Sequence, residues 1–130
     1  MRRQSHKSTE TISGLSVFVV EDEGVIAMQL EDSLIEAGCE VVGPAMRLKV
    51  AQRMVEADTK VGVAVLDVNL GDATVFPIAE SLQDMGIPIV FATGYGREGV
   101  PYEWTRYPIL QKPYTARQIE EAILTVIATE

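Results

Sequence analysis

From residue 15 onward, short apolar runs alternate with stretches in which apolar residues recur every three or four positions. The runs at 15–20, 40–42, 61–66, 87–92 and 109–110 are rich in Val and Ile, which predicts strands buried on both faces. Between the first two, positions 25–37 place Ile26, Leu30, Leu34 and Ala37 on one helical face, with Gly38 as the stop. Leu48, Ala51, Met54 and Val55 form a second stripe that ends near Asp58. A third helix is predicted over 75–85, with Pro77 in its first turn, where a missing N–H does no harm. The last helix opens on Thr115-Ala116-Arg117-Gln118, a capping box, and buries Ile119, Ala122, Ile123, Val126 and Ile127. Gly94, Gly96, Gly99, Pro101 and Pro108 interrupt the region between the fourth and fifth runs, so a helix there is expected to be short, late or mobile.

Five strand–helix units in series predict an α/β fold, a doubly wound five-stranded parallel sheet joined by right-handed crossovers. The flavodoxin-like strand order 2-1-3-4-5 is the common solution at this length. Residues 1–13 are read as a disordered leader and 14–130 as one domain. In such a sheet every strand's C-terminal end lies on the same edge. Residues far apart in sequence therefore meet there.

Composition narrows the class of function. At 130 residues the chain holds one domain with one sizeable core. A net charge of −8 argues against a nucleic-acid partner, since phosphate-backbone binding runs on clustered Lys and Arg. The single cysteine, Cys39, excludes an internal disulfide and fits a reducing cytoplasm; it reads as a small buried apolar residue. No apolar run approaches the about 20 residues of a membrane span, and the basic N-terminus lacks the apolar stretch of a signal peptide. A cytoplasmic monomer is expected.

The predicted edge gathers Glu21, Asp22 and Glu23 after strand 1, and Asp67, Val68 and Asn69 after strand 3. It adds Thr93 and Gly94 after strand 4, and Gln111, Lys112 and Pro113 after strand 5. Singly, each has a bland reading: Asp22 or Asp67 as a helix cap, Thr93 as a turn hydroxyl, Lys112 as a solvated strand end. Together they are harder to dismiss. Three carboxylates at one edge repel one another and need a counter-charge. Hard carboxylate oxygens suit Mg²⁺, which keeps waters free for a phosphate. An ammonium and a hydroxyl opposite them supply donors for phosphoryl oxygens. This is equipment for phosphoryl transfer to a carboxylate, a reaction carried by positioning and charge neutralisation.

The segments Val19-Val20-Glu21-Asp22-Glu23, Val65-Leu66-Asp67-Val68-Asn69-Leu70, Phe91-Ala92-Thr93-Gly94 and Leu110-Gln111-Lys112-Pro113, in this order and spacing, resemble the receiver domain of two-component response regulators. The resemblance runs from about residue 15 to 128. It implies that Asp67 accepts a phosphoryl group from a sensor histidine kinase. It implies Mg²⁺ held by Asp22 and Asp67 directly, by Glu21 through a water and by the backbone carbonyl of Asn69. Thr93 would hydrogen-bond a phosphoryl oxygen, Lys112 would pair with the phosphate, and the Lys112–Pro113 bond would be cis. Glu23 is read as the cap of the first helix rather than a metal ligand. The sole histidine, His6, lies in the leader, so the phosphoryl group is expected from outside.

Two departures matter. Receiver domains usually carry an aromatic residue three positions before the strand-5 lysine; here it is Ile109. The stretch Phe91-Ala92-Thr93-Gly94-Tyr95-Gly96 instead resembles a subgroup marked by Phe-Ala-Thr-Gly, a hydrophobic residue and Tyr, with Gly96 in place of the final Tyr. Its members are often stand-alone receivers that work with histidine kinases of the HWE or a related class. Positions 94–99 then read as a switch, with Gly94, Tyr95, Gly96 and Ile109 its key residues and Tyr95 standing in for the missing aromatic. Tyr102, Trp104 and Tyr107 are either partner contacts or core. No output domain is expected after residue 130, and the expected product is a changed docking face for an unknown partner or a phosphate sink. The Gly94-Tyr95-Gly96-Arg97-Glu98-Gly99 match to a dinucleotide loop lacks a good helix start after it. The rival enzyme class, small phosphatases resembling haloacid dehalogenases, wants a second Asp two positions after the first, where this chain has Asn69.

Overall fold

The computed structural model describes residues 11–57 and 60–128. The strands are β1 (Ser16–Val20), β2 (Glu40–Ala45), β3 (Val63–Asp67), β4 (Ile89–Thr93) and β5 (Ile109–Gln111). All neighbours pair in parallel, in the order β2-β1-β3-β4-β5. The helices are α1 (Gly24–Glu36), α2 (Leu48–Glu56), α3 (Phe76–Asp84) and α4 (Ala116–Ala128). The expected end of α2 near Asp58 lies outside the described residues, as do residues 1–10 of the leader, His6 among them. Ile12, assigned to the leader from sequence, is buried, and the Cys39 thiol donates to its carbonyl at 3.3 Å.

Alternation along the strands builds two cores. Phe18, Val20, Ala64, Leu66, Ile89 and Phe91 face one side of the sheet, packed with Ala51 of α2 and Ile78, Ala79 and Leu82 of α3. Val17, Val19, Val63, Val65 and Val90 face the other, packed with Leu30 and Leu34 of α1 and Ile119, Ile123 and Val126 of α4. Successive side chains of a strand point to opposite faces, and both faces are dry, which is why the runs read as continuously apolar.

The fourth crossover holds no α-helix. Two 3-10 turns, Gly96–Gly99 and Tyr102–Trp104, take its place, linked by an Arg97 Nη2 hydrogen bond to the Thr105 carbonyl at 2.9 Å. Aromatic rings fill the volume a helix would have covered: Trp104 packs on Phe76, Phe91 and Tyr107 with ring centroids 5.8–5.9 Å apart. Trp104 is therefore core, Tyr107 is half-buried, and Tyr102 is 91% exposed.

A short hairpin pairs Asn69–Leu70 with Ala73–Thr74 directly after β3. The sequence reading did not anticipate it. The Lys112–Pro113 bond is cis as expected, and so is Gly43–Pro44. The capping box of α4 forms in full: the Gln118 amide donates to Thr115 Oγ1 at 3.1 Å, and the Thr115 amide donates to Gln118 Oε1 at 2.8 Å. Thr115→Ala removes one of these reciprocal bonds and is expected to cost about 1 kcal/mol in urea denaturation at unchanged m-value.

Candidate functional site

Register alone brings the chemistry together. Val20 pairs with Leu66, and Asp67 pairs with Ala92. One rung further toward the C-terminal edge, Glu21 follows Val20 beside Asp67, and Thr93 pairs with Gln111, the residue before Lys112. A shallow cleft at this edge is lined by Asp22, Glu23, Asp67, Asn69, Gly71, Gly94, Tyr95 and Lys112. Of the site residues expected from sequence, Asp22, Asp67, Asn69, Gly94, Tyr95 and Lys112 line this cleft with Glu23 and Gly71, whereas Glu21, Thr93, Gly96 and Ile109 are not among its lining residues.

Lys112 stands at the centre. Its Nζ lies 3.0 Å from both oxygens of Glu21, 3.1 Å from Glu23 Oε1 and 3.1 Å from Asp67 Oδ1. Glu21 and Asp67 are buried side chains, at 2% and 4% exposure, whereas Glu23 is 60% exposed. Burial alone would push the lysine's pKa down, but hydrogen bonds to Glu21, Asp67 and Glu23 outweigh it and hold the ammonium above the ordinary lysine value.

The expectation that Glu23 caps the first helix needs correcting. Glu23 occupies the N-cap position of α1, yet its side chain makes no capping bond. The lysine is the stronger attractor: an ammonium held among carboxylates outcompetes a neutral backbone amide for a carboxylate oxygen. Glu21 Oε2 accepts the Glu23 amide instead, at 3.1 Å.

Asp22 is oriented by a contact that sequence did not flag. Gly71, at the tip of the hairpin, donates its amide to Asp22 Oδ2 at 3.0 Å. Its φ of +65° is the left-handed conformation in which glycine pays no steric penalty. The run Asn69-Leu70-Gly71-Asp72 carried the signal, since turn residues clustered after a strand mark a tight reversal.

Thr93 is fully buried, and its Oγ1 accepts the Tyr95 amide at 3.1 Å. That leaves the hydroxyl proton free to donate. Tyr95 itself projects outward at 73% exposure, and Ile109 pairs with Phe91 against the aromatic core. Tyr114, two residues beyond Lys112, was also missed by the sequence reading. Its hydroxyl is buried without a partner among the described residues, and burial followed by the charge of Glu21 pushes its pKa up to about 12.

The donor set suits a hard divalent cation. One oxygen from each of Glu21, Asp22 and Asp67 lies within 4.8 Å of the others. Among the described residues, Asp67 Oδ2 is buried with no hydrogen-bond partner. Four carboxylates share one ammonium, so the edge is short of positive charge. Burial, then the neighbouring Glu21, raises the pKa of Asp67; burial, then Asp67, raises that of Asp22.

Folded Asp67 holds its proton more tightly than the unfolded chain does. Stability therefore falls as pH rises from the ordinary value of 3.8 through the raised native value, and the penalty is fully present above it. Asp67→Asn is expected to stabilise the protein in a chelating buffer at pH 7 by on the order of 1 kcal/mol, read by urea denaturation. Added Mg²⁺ should narrow that gap by stabilising the wild type alone.

Comparison with known proteins agrees with this geometry. No family profile matches the chain, and no curated protein matches it. Among solved structures, SdrG from Sphingomonas melonis Fr1 superposes with a TM-score of 0.78 at 36% identity, covering 88% of this chain and 97% of that one. The BeF3-activated conformation of SdrG from Pseudomonas melonis Fr1 gives 0.73 at 38% identity, over 89% and 99% of the two chains. The receiver domain of the PhyR response regulator from Erythrobacter litoralis gives 0.79 at 25% identity, over 92% and 94%. The likeness to SdrG is consistent with the Phe-Ala-Thr-Gly subgroup. With this fold, this edge and these relatives, the chain belongs to the receiver domains of response regulators.

Proposed function

We propose that this receiver takes a phosphoryl group from a sensor histidine kinase onto Asp67, in the presence of Mg²⁺, and passes the signal on through the segment between β4 and β5. The observation that carries the reading is Asp67 itself, a buried carboxylate with one oxygen on Lys112 and the other unpartnered, in an open cleft.

In the reaction an Asp67 oxygen attacks phosphorus, the P–N bond to the donor imidazole breaks, and an acyl phosphate forms. The imidazole leaves with the bonding electron pair and takes a proton from solvent. Lys112 pairs with the charge that reaches the phosphoryl oxygens, and the Thr93 hydroxyl donates to another of them. Asp22, held by the Gly71 amide, would hold Mg²⁺ together with Asp67, Glu21 and the backbone carbonyl of Asn69. When bound, Mg²⁺ neutralises the carboxylates and screens the phosphoryl oxygens so that an anion can approach an anionic site.

Thr93 donates its free hydroxyl proton to the phosphoryl group while Oγ1 still accepts the Tyr95 amide, which draws the turn at 94–99 inward and orders it. Tyr95 then moves from solvent toward the sheet edge and serves in place of the aromatic residue absent at Ile109. The docking face for the downstream protein includes the exposed Tyr102. Kinases of the HWE or a related class are the proposed donors, as for the similar subgroup. The protein acts as a monomer in the cytoplasm without nucleic acid; among the described residues no helix is long and apolar enough to cross a membrane.

Incubation with acetyl phosphate and Mg²⁺ should add the mass of one phosphoryl group to the intact wild type and nothing to Asp67→Ala. An equal adduct on both would defeat the assignment. Backbone amide relaxation should show positions 94–99 mobile in the free protein and ordered with beryllofluoride; equal rigidity in both states would remove the switch from this segment.

A further inference from the structure

An ammonium has three protons, and the Lys112 ammonium has three carboxylate partners. A phosphoryl oxygen can pair with Lys112 only if one of them yields its place. The three are not equivalent. Glu21 and Asp67 are buried, and Glu21 is further tied by the Glu23 amide. Releasing Glu21 leaves a buried carboxylate without its ammonium in a poorly solvated place, and Asp67, modified on Oδ2, keeps Oδ1 beside Lys112 as a carbonyl oxygen. Glu23 is mostly in water, makes no other side-chain hydrogen bond among the described residues, and lines the same open cleft as Asp67. Once released it is simply hydrated, and an exposed ion pair holds only weakly.

We infer that Glu23 is an internal placeholder for the phosphoryl group: it occupies the third proton of Lys112 in the resting protein and is displaced by a phosphoryl oxygen when Asp67 is modified. This inference rests on the reading of Asp67 as the phosphoacceptor. It assigns Glu23 neither to the metal nor to the helix cap. Its carboxylate keeps the lysine extended across the cleft and competes with the incoming anion for it. Weakening the contact should therefore favour the modified state. The resting fold should change little, because the pair is exposed and no helix cap is lost.

The test is titration of beryllofluoride into the full chain with saturating Mg²⁺, followed by thermal shift, on the wild type and three variants. Glu23→Gln removes the charge and keeps the length. Glu23→Asp keeps the charge but is one methylene too short to hold the lysine in the same way. Asp72→Asn removes a charge from the exposed hairpin tip without touching Lys112. Glu23→Gln and Glu23→Asp are both expected to bind beryllofluoride about twofold to fivefold more tightly than wild type, with Asp72→Asn near wild type. Phosphorylation by acetyl phosphate should quicken in the same two variants. Equal affinity in wild type and both Glu23 variants would overturn the inference while leaving the acceptor role of Asp67 intact. So would an equal gain in Glu23→Gln and Asp72→Asn with none in Glu23→Asp, which would mark a general field effect. Failure of the wild type to bind beryllofluoride at all would overturn the acceptor reading and this inference with it.

Discussion

One ammonium among carboxylates is the constraint on which the site depends. A parallel sheet delivers the ends of all its strands to one edge, and this chain places acidic residues after two adjacent central strands. Without Lys112, Glu21 and Asp67 would face each other buried and unpaired, at a cost of several kcal/mol. Lys112 arrives from β5, whose neighbour β4 separates it from β3. Its backbone amide is fixed by the Thr93 carbonyl at 2.9 Å, so the charge that quiets the acids is anchored to the residue proposed to sense the phosphoryl group.

The incomplete neutralisation is as informative as the ion pairs. Burial, with Glu21 beside Asp67 and Asp67 beside Asp22, raises the pKa values of both aspartates, which means that the fold holds their charged forms at some expense. A core built only for stability would have placed apolar residues here, as it does one residue earlier at Val20 and Leu66. The edge is instead left with more negative charge than Lys112 balances.

Much of this was legible in the sequence, and what was legible was local or periodic. The strands stood out because both faces of the sheet are dry. The capping box at Thr115 and Gln118 stood out because its partners lie within one turn. The glycines and prolines from 94 to 108 correctly weakened the case for a helix there, and the convergence of Asp22, Asp67, Thr93 and Lys112 followed from topology. What escaped depended on distances across the fold. The attachment of Glu23 to Lys112 joins positions 89 residues apart, and local reasoning preferred the cap. The Gly71 bond to Asp22 needed the hairpin to form first. Trp104 left burial and exposure equally open, because only the missing helix created the space it fills.

That substitution of rings for a helix has an optical side. The chain contains one tryptophan, and it sits in the connection between β4 and β5, packed on Phe91 two residues before Thr93. Indole emission depends on the polarity around the ring, and nothing else in the molecule contributes to it. The protein therefore carries its own fluorophore in the one crossover that lacks an α-helix, and needs no label for changes there to be followed by light.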